Sequence, residues 1–469
     1  MQRKVFSFLL AFAAVALLGS AAQAQQQFTA ALNTIQEVPP PTNSLGRGSC
    51  LITLNAAQTQ ISVTCEYSNL SSGLTAGGAH IHGPASPGQN AGVLFPLNPT
   101  AGTTSGTITA GPFTLTAAQL ADLRAKRLYV NLHTANFPNG EIRGQIKIQT
   151  TPFDFDGDGR TDIKVYRSNA PATFVLYSTN NSIFSSGFGS AAETPITLAA
   201  DDYDGDGRGD IALTSLINGV FNWRILQTGS NTIRAIQWGV QATDRLVPAD
   251  YDGDGKTDIA VHRRTTGVWY IIQSTNNTMR AEIWGQAEDV PNVGDFDKDG
   301  KNDLTVHRAT ANGTAWFTRR SSDNSLLVAY WGGATAPAVD FVAPAAQIDI
   351  DGDGIQDRMV IRDPIGPAPP NFNLGNQVTY FILRSSDNTQ FVLPFGLDTD
   401  VRFFGDYDGD GRTDIAARRD IGGQLVWFIY QSSNAQVRVV NFGMTGGDFL
   451  AENNDDTDSA ESILLKSIE

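Results

Sequence analysis

Aspartates recur along the chain at a spacing that suits a hard metal ion. The pattern Asp-x-Asp-x-Asp-Gly-x-x-Asp begins at six places, numbered here as loops 1 to 6: Asp154, Asp202, Asp250, Asp295, Asp349 and Asp406. Alternate aspartates on a tightly curved backbone direct their carboxylates inward, and the glycine at position 6 allows the sharp turn. Oxygen ligands in this number suit Ca²⁺ better than Mg²⁺, which retains its waters. We therefore predict about six structural calcium ions.

The predicted ligands are the carboxylates at loop positions 1, 3, 5 and 9 and the backbone carbonyl at position 7. They are Asp154, Asp156, Asp158, Arg160, Asp162, Asp202, Asp204, Asp206, Arg208, Asp210, Asp250, Asp252, Asp254, Lys256, Asp258, Asp295, Asp297, Asp299, Lys301, Asp303, Asp349, Asp351, Asp353, Ile355, Asp357, Asp406, Asp408, Asp410, Arg412 and Asp414. The alternative, Asp-Gly turns without metal, would hold four like charges close together with nothing to offset them. A seventh repeat at Asn454 lacks the glycine and the last aspartate, and we assign it no calcium.

The net charge of −15 says little about partners, because the loop aspartates supply half of the 48 acidic residues. No basic stripe that would bind nucleic acid is present. Outside the loops we find no Ser/His/Asp arrangement, no paired carboxylates and no cofactor motif. We therefore expect no catalytic residues and no enzymatic activity.

Three of the five histidines lie before the first loop, at His80, His82 and His133. His80 and His82 alternate on a predicted strand and so share a face, and His133 ends a second predicted strand. Three imidazoles on neighbouring strands could bind zinc or copper as a second kind of metal site. The alternative is a polar network in which the imidazoles bond to the backbone and to Asn131 or Glu141. Both interpretations remain open at this point.

The two cysteines and the N-terminus both indicate export. Cys50 and Cys65 lie on two predicted strands around a turn near Ala57, which places them opposite each other. We expect a disulfide, with two buried free thiols as the alternative. A basic start, an apolar run and Ala22-Gln23-Ala24 predict a signal peptide over residues 1–24. No later run is long enough to span a membrane, so we expect a secreted, periplasmic or cell-surface protein.

The elements that carry the loops are repeated too. After each acidic loop comes a short apolar strand, then an aromatic-bearing strand ending in a Ser-containing polar turn, then a strand ending in aromatic-Gly. A further apolar run leads into the next loop, so each unit has four strands, which is typical of a propeller blade. The recurring tryptophans are expected to pack between blades. Six units are complete and the last provides two strands. This pair either makes an incomplete seventh blade, the interpretation that we favour, or closes a six-bladed ring. A Pro-rich insertion over residues 363–376 is predicted to be a surface loop.

These repeats, from about residue 152 to 469, resemble the FG-GAP/VCBS family of calcium-binding propeller repeats, also found in integrin α-subunits. The resemblance implies a calcium-bearing propeller used in extracellular recognition or adhesion. The segments AHIHGPA at 79–85 and LYVNLHTANFPNGEIRGQI at 128–146 resemble the CHRD (chordin-type) domain, which implies an immunoglobulin-like β-fold.

The sequence thus predicts an all-β protein, with a β-sandwich or barrel domain at 25–150 and a β-propeller at 151–469. The expected function is a secreted calcium-binding recognition or adhesion protein, whose partner is an extracellular protein or glycan. The alternative is an extracellular enzyme, acting on polysaccharide or through a metal or redox site at the histidines.

Overall fold

The computed structural model describes residues 26–450 apart from 35, 42, 56, 87, 149–150, 168, 191, 197–200, 336–337, 341, 343–346, 363–376 and 446–447. The predicted signal peptide, the insertion at 363–376 and the repeat at Asn454 lie outside these residues. The described chain is nearly all β, with a single α-helix. None of its helical structure is long and apolar enough to cross a bilayer.

The first nine strands form one antiparallel sheet that curls into a nearly closed barrel, called here the N-terminal barrel. Its strand order is β5-β4-β7-β8-β1-β2-β3-β6, and β9 pairs with β1. Phe28, Ile52 and Leu132 are fully buried in its single core. The elements are β1 (Gln26–Asn33), β2 (Arg47–Leu54), β3 (Gln60–Ser68), β4 (Leu74–His82), β5 (Val93–Pro96), β6 (Gly106–Thr114), α1 (Ala117–Arg124), β7 (Tyr129–Thr134), β8 (Ile142–Gln145) and β9 (Lys147–Ile148).

The predicted disulfide of the barrel is confirmed. Cys50 lies directly opposite Cys65 in the β2–β3 hairpin, and the two form a disulfide. The single helix α1 begins after Thr116, which caps its N-terminus. The Thr116 hydroxyl accepts from the Gln119 amide while the Gln119 side chain accepts from the Thr116 amide, so both otherwise unpaired amides are satisfied.

The remaining strands form a ring of six antiparallel sheets, which we call blades 1 to 6. A two-stranded hairpin, β25 and β26, precedes the strands of blade 5. The strands are β10 (Ile163–Arg167), β11 (Ala172–Leu176), β12 (Ile183–Ser186), β13 (Thr194–Pro195), β14 (Ile211–Ile217), β15 (Val220–Gln227), β16 (Thr232–Val240), β17 (Asp244–Leu246), β18 (Ile259–Arg263), β19 (Val268–Ile272), β20 (Met279–Ile283), β21 (Val290–Asn292), β22 (Leu304–Thr310), β23 (Gly313–Arg319), β24 (Leu326–Tyr330), β25 (Ala334–Thr335), β26 (Ala338–Val339), β27 (Arg358–Arg362), β28 (Gln377–Leu383), β29 (Gln390–Leu397), β30 (Val401–Gly405), β31 (Asp414–Ile421), β32 (Gln424–Tyr430), β33 (Val437–Met444) and β34 (Asp448–Leu450).

The described residues form six blades, which matches the six-bladed alternative from the sequence. The C-terminal strand β34 pairs with β10 and so completes blade 1. Loop 6 also meets loop 1 directly, because the Thr161 amide donates to the Asp406 carbonyl at 2.6 Å. The same bond joins every other consecutive pair of loops, at 2.6–2.8 Å. Loops 1 to 6 are therefore linked in a continuous circle of backbone hydrogen bonds.

Tryptophans hold the blades together, as the sequence predicted. Trp223, Trp269, Trp316 and Trp427 are buried, and each indole N–H donates to the carbonyl of the aromatic residue before the repeated glycine. Trp238, Trp284 and Trp331 instead donate to a carbonyl of the next blade, at 3.1–3.2 Å. Burying an indole while satisfying its donor stabilises both the blade core and the contact between blades.

A feature that the sequence analysis missed is an acid–arginine pair in five of the blades. In blade 3, Asp244 is buried and Arg263 binds it through two nitrogens at 2.8 and 2.9 Å. The guanidinium also lies over the ring of Tyr270. The equivalent pairs are Asp289–Arg308, Asp340–Arg362 and Asp400–Arg419. In blade 2 the pair is Glu193–Arg224, with the arginine on the following strand.

Candidate metal centres

Each acidic loop is folded around its first aspartate. In loop 3, the two carboxylate oxygens of Asp250 accept from the amides of Gly253 and Gly255, at 2.5 and 2.7 Å. Both glycines have positive φ, 81° and 80°, a backbone region that other residues rarely adopt. The repeated Asp and Gly residues therefore specify a tight turn with its carboxylates gathered on the inside.

The aspartate at position 9 bonds both within its loop and to the hairpin that follows. Asp258 accepts from the Tyr251 amide within the loop at 2.9 Å, and from the Ser274 amide in the following hairpin at 2.6 Å. The same two bonds occur in all six loops, with distances of 2.8–2.9 Å and 2.6–2.8 Å. Position 9 thus fixes the loop to the hairpin that follows its strand.

Hydroxyl groups on that hairpin hold the aspartates at positions 3 and 5. In loop 3, the Ser274 hydroxyl donates to Asp254 at 2.9 Å and the Thr275 hydroxyl donates to Asp252 at 2.6 Å. Loops 1, 5 and 6 have the same pair of bonds, from Ser178 and Thr179, Ser385 and Ser386, and Ser432 and Ser433. The polar turn was visible in the sequence, but nothing there indicated that its hydroxyls orient the aspartates.

Loop 2 departs from this arrangement. Its hairpin has Thr228 followed by Gly229, where the other loops have two consecutive hydroxyl residues. The Thr228 hydroxyl donates to the Gly209 carbonyl and not to a loop aspartate. A side chain at Gly229 would overlap Asp206, since an added Cβ would lie within 1.6 Å of its carboxylate. Asp206 therefore packs against the backbone of Gly229. Among the described residues it lacks the hydroxyl partner that the aspartate at position 5 has in loops 1, 3, 5 and 6.

The predicted ligands do come together in the loops. Oxygen atoms of three aspartates lie within 4.8 Å of one another in loops 1 to 4, as they do for Asp154, Asp156 and Asp162. The carbonyls at position 7 remain predicted ligands only. In loops 1, 4 and 6 one buried oxygen of the aspartate at position 3 has no hydrogen-bond partner among the described residues: Asp156 Oδ1, Asp297 Oδ1 and Asp408 Oδ1. A buried, unpaired carboxylate oxygen is costly unless something positive meets it.

Burial raises the pKa of every aspartate at positions 1 and 9, and neighbouring loop carboxylates add to the shift. At position 9 the pKa is raised to about 8 for Asp162 and Asp210, about 7 for Asp258, Asp303 and Asp414, and about 6 for Asp357. At position 1 it is raised to about 7 for Asp202 and Asp349, about 6 for Asp250 and Asp406, and well above its usual value for Asp154 and Asp295. Without a cation, the folded protein disfavours the charge on these groups near neutral pH.

Loops 2 to 6 line a central cavity of about 310 Å³. Lys126, after α1, donates to the Asp254 carbonyl of loop 3 at 2.7 Å. Lys147, on β9, donates to the carbonyls of Gly253 and Gly300, in loops 3 and 4. Burial lowers the pKa of Lys126, an effect opposed by the nearby Asp202 and Asp254. Two lysines of the barrel therefore dock on the acidic face of the ring.

The three histidines of the N-terminal barrel also come together. His80 and His82 are two residues apart on β4, where His80 pairs with Asn131 of β7, so His133 is the diagonal neighbour of His80. The ring centroids are 5.2–5.9 Å apart, and one nitrogen from each ring lies within 4.8 Å of the others. Burial lowers the pKa of all three imidazoles, that of His133 to about 4, so they are neutral at pH 7.

With this geometry in view, the N-terminal barrel can be compared with known domains. Residues 28–146 match the CHRD domain. The match includes all three clustered histidines and both cysteines, and it ends before the first acidic loop. The CHRD region therefore accounts for the barrel and leaves the ring unassigned.

Comparisons of the whole chain add little about function. No curated protein matches it in sequence. TolB from Acinetobacter baumannii aligns with 69% of this chain and 77% of its own, at 11% identity and a TM-score of 0.41. An auxiliary nutrient binding protein from Bacteroides ovatus aligns with 82% of this chain and 83% of its own, at 7% identity and a TM-score of 0.32. Scores this low support no conclusion about what the protein binds.

Proposed function

We propose that the protein is an exported, calcium-loaded recognition scaffold without catalytic activity. In this proposal residues 1–24 are a signal peptide, 25–150 form the CHRD domain, and 151–469 form a propeller of the FG-GAP/VCBS type. About six calcium ions occupy loops 1 to 6, and the rigid ring presents surfaces to an extracellular protein or glycan. The disulfide supports an oxidising compartment, because such bonds are rare in the cytosol.

The observation that carries the calcium proposal is the convergence of loop carboxylates, with oxygen atoms of three aspartates within 4.8 Å of one another in loops 1 to 4. The lysines and arginines at position 7 do not act as the cation among these oxygens: the side chains of Lys256, Lys301 and Arg412 lie against the glycine at position 4 of the preceding loop. The aspartates at position 3 of loops 1, 4 and 6 meanwhile each keep an unpaired buried oxygen among the described residues. A divalent cation bound to each loop would pair these oxygens and offset the repulsion that raises the carboxyl pKa values.

Calcium suits the site better than magnesium or zinc. The donors are carboxylate and carbonyl oxygens, with no thiolate or imidazole in the loops, which disfavours zinc. A flexible shell of several carboxylates around one ion matches the coordination number of calcium, whereas magnesium requires near-octahedral geometry and retains waters. The role is structural, because each loop also ties its blade to the next through the bond between positions 8 and 1.

Thermal unfolding in calcium, magnesium or a chelator tests this function. We expect the melting temperature to be highest with calcium at millimolar concentration, and to fall when the chelator EGTA removes the calcium. Magnesium at the same concentration should restore little of the loss. Equal melting temperatures in calcium and EGTA would contradict the structural role.

A further inference from the structure

The histidine cluster of the CHRD domain has the hydrogen bonds of a metal site. His82 Nδ1 lies 3.0 Å from the Ala91 carbonyl oxygen and His133 Nδ1 lies 3.1 Å from the Pro138 carbonyl oxygen. A carbonyl only accepts, so both Nδ1 atoms must carry the proton and donate it. Each Nε2 therefore bears a lone pair. Backbone carbonyls that fix the tautomer in this way are the usual partners of metal-binding histidines.

These lone pairs have no other use in the described part of the chain. His82 Nε2, His133 Nε2 and His80 Nδ1 are buried and have no hydrogen-bond partner there. One nitrogen from each of the three rings lies within 4.8 Å of the others. Buried acceptors such as His82 Nε2 and His133 Nε2 are unfavourable when no donor or ligand meets them.

The alternative from the sequence, a polar core network, does not account for the cluster. Glu141 accepts instead from Ser44, the Ser71 amide and Thr134, at 2.5–2.6 Å. Asn131 instead forms a side-chain hydrogen bond with Glu37. Within the described residues, neither side chain bonds to a histidine of the cluster.

The rings are also held in place before any ligand arrives. Tyr129 stacks on His82 with the ring planes 8° apart and the centroids 5.0 Å apart. The guanidinium of the buried Arg143 covers the other face of Tyr129 at 3.5 Å. This stack restricts the His82 ring, so less conformational entropy is lost when the ring binds an ion.

We propose that His80, His82 and His133 bind one copper or zinc ion and leave one coordination position open to water or a small anion. Three neutral imidazoles without a thiolate suit these two metals, and copper(II) is the tighter binder in the general order of affinities. Within the described chain no further His, Cys, Asp or Glu belongs to the cluster. His80 and His133 are only partly buried, so the remaining position is open to solvent.

Metal titration of the mature protein, purified without a polyhistidine tag and kept in calcium, tests the site. We expect one equivalent of copper(II) or zinc(II) to bind, and separate titrations identify which binds tighter. His80→Gln and His133→Gln should each weaken binding by more than about tenfold, a loss at least as large as that for disturbing an outer partner of a ligand. Both residues are partly exposed, so the variants should fold; an unchanged calcium content and melting temperature will verify this.

Spectroscopy then separates a three-histidine site from surface binding. The copper(II) EPR spectrum, or cobalt(II) absorption if only zinc binds, should show imidazole nitrogen ligands and should change when azide is added. Glu66→Gln is the control, because Glu66 is an exposed acid on β3 outside the cluster and its variant should retain the metal. Failure of both metals to bind would overturn the proposal, as would binding that survives both glutamine substitutions. A spectrum unchanged by azide would overturn the open position.

Discussion

Substituting Asp297, at position 3 of loop 4, should have opposite effects on stability with and without calcium. One oxygen of Asp297 accepts from the Ser322 hydroxyl at 2.5 Å, and the other is buried and unpaired within the described chain. Asp297→Asn keeps an oxygen for Ser322 and replaces the unpaired oxygen by an amide that can donate to Asp295 or Asp299. The substitution therefore removes repulsion in the metal-free loop and removes a ligand from the calcium-bound loop.

The size of the effect follows from the distance between the carboxylates. Oxygen atoms of Asp295, Asp297 and Asp299 lie within 4.8 Å of one another. Two charges at that separation repel by about 3.5 kcal/mol at an effective dielectric constant of 20. Partial exposure reduces this to about 1–2 kcal/mol. In EGTA at pH 8, where Asp303 with its pKa of about 7 is ionised, the variant should melt about 2–8 °C above the parent protein.

In calcium the same variant should melt below the parent protein. A site held at about 100 times its dissociation constant contributes about 2.7 kcal/mol, and losing a ligand removes most of this. Differential scanning calorimetry in both buffers measures the two shifts. Asp398→Asn is the control, because Asp398 is an exposed acid of the ring outside the loops. A fall in melting temperature of equal size in both buffers would refute the reasoning, since it would show that Asp297 has no electrostatic role.

Three further predictions follow from the loops, the docked lysines and the blade cores. In EGTA, the free energy of unfolding measured with urea should fall as the pH rises from about 4 to 8. The pKa is raised to about 8 for Asp162 and Asp210 in the folded state, so the folded state binds more protons than the unfolded state over this interval. Saturating calcium should reverse this slope, and equal slopes with and without calcium would contradict a cation in the loops. The double substitution Lys126→Ala and Lys147→Ala should speed amide hydrogen exchange in loop 3, because both lysines donate to carbonyls of this loop. The control Arg124→Ala changes an exposed neighbour and should leave the exchange rate unchanged. Unchanged exchange in the double variant would show that the docking adds no protection. Trp269→Ala should lower the free energy of unfolding by about 3–5 kcal/mol, because this indole is fully buried and bonded to the Trp284 carbonyl at 2.9 Å; a loss below about 1 kcal/mol would contradict its role in the core.

The sequence predicted what depends on local pattern. The acidic repeat and the aromatic-Gly strand ends identified the blades, and the symmetric placement of Cys50 and Cys65 about their turn gave the disulfide register. These features succeed because each residue acts within its own unit or hairpin.

Features that depend on contacts between distant units could not be predicted. The number of blades depends on whether Thr161 reaches Asp406, which are 245 residues apart and carry no special residue type for a backbone bond. The tautomers of His82 and His133 are set by the carbonyls of Ala91 and Pro138, which any residue could supply. The hydroxyls of Ser274 and Thr275 were visible as a polar turn, but their role follows only from the fold that brings them to loop 3.

Counting the calcium bound to the mature protein tests the central claim most directly. After dialysis against calcium at low millimolar concentration and brief desalting, inductively coupled plasma mass spectrometry and native mass spectrometry should both give about six calcium ions per chain. The Asp297→Asn variant should bind one fewer. A parent protein that retains no calcium, or that binds magnesium equally well in competition, would contradict the account of the loops as calcium sites.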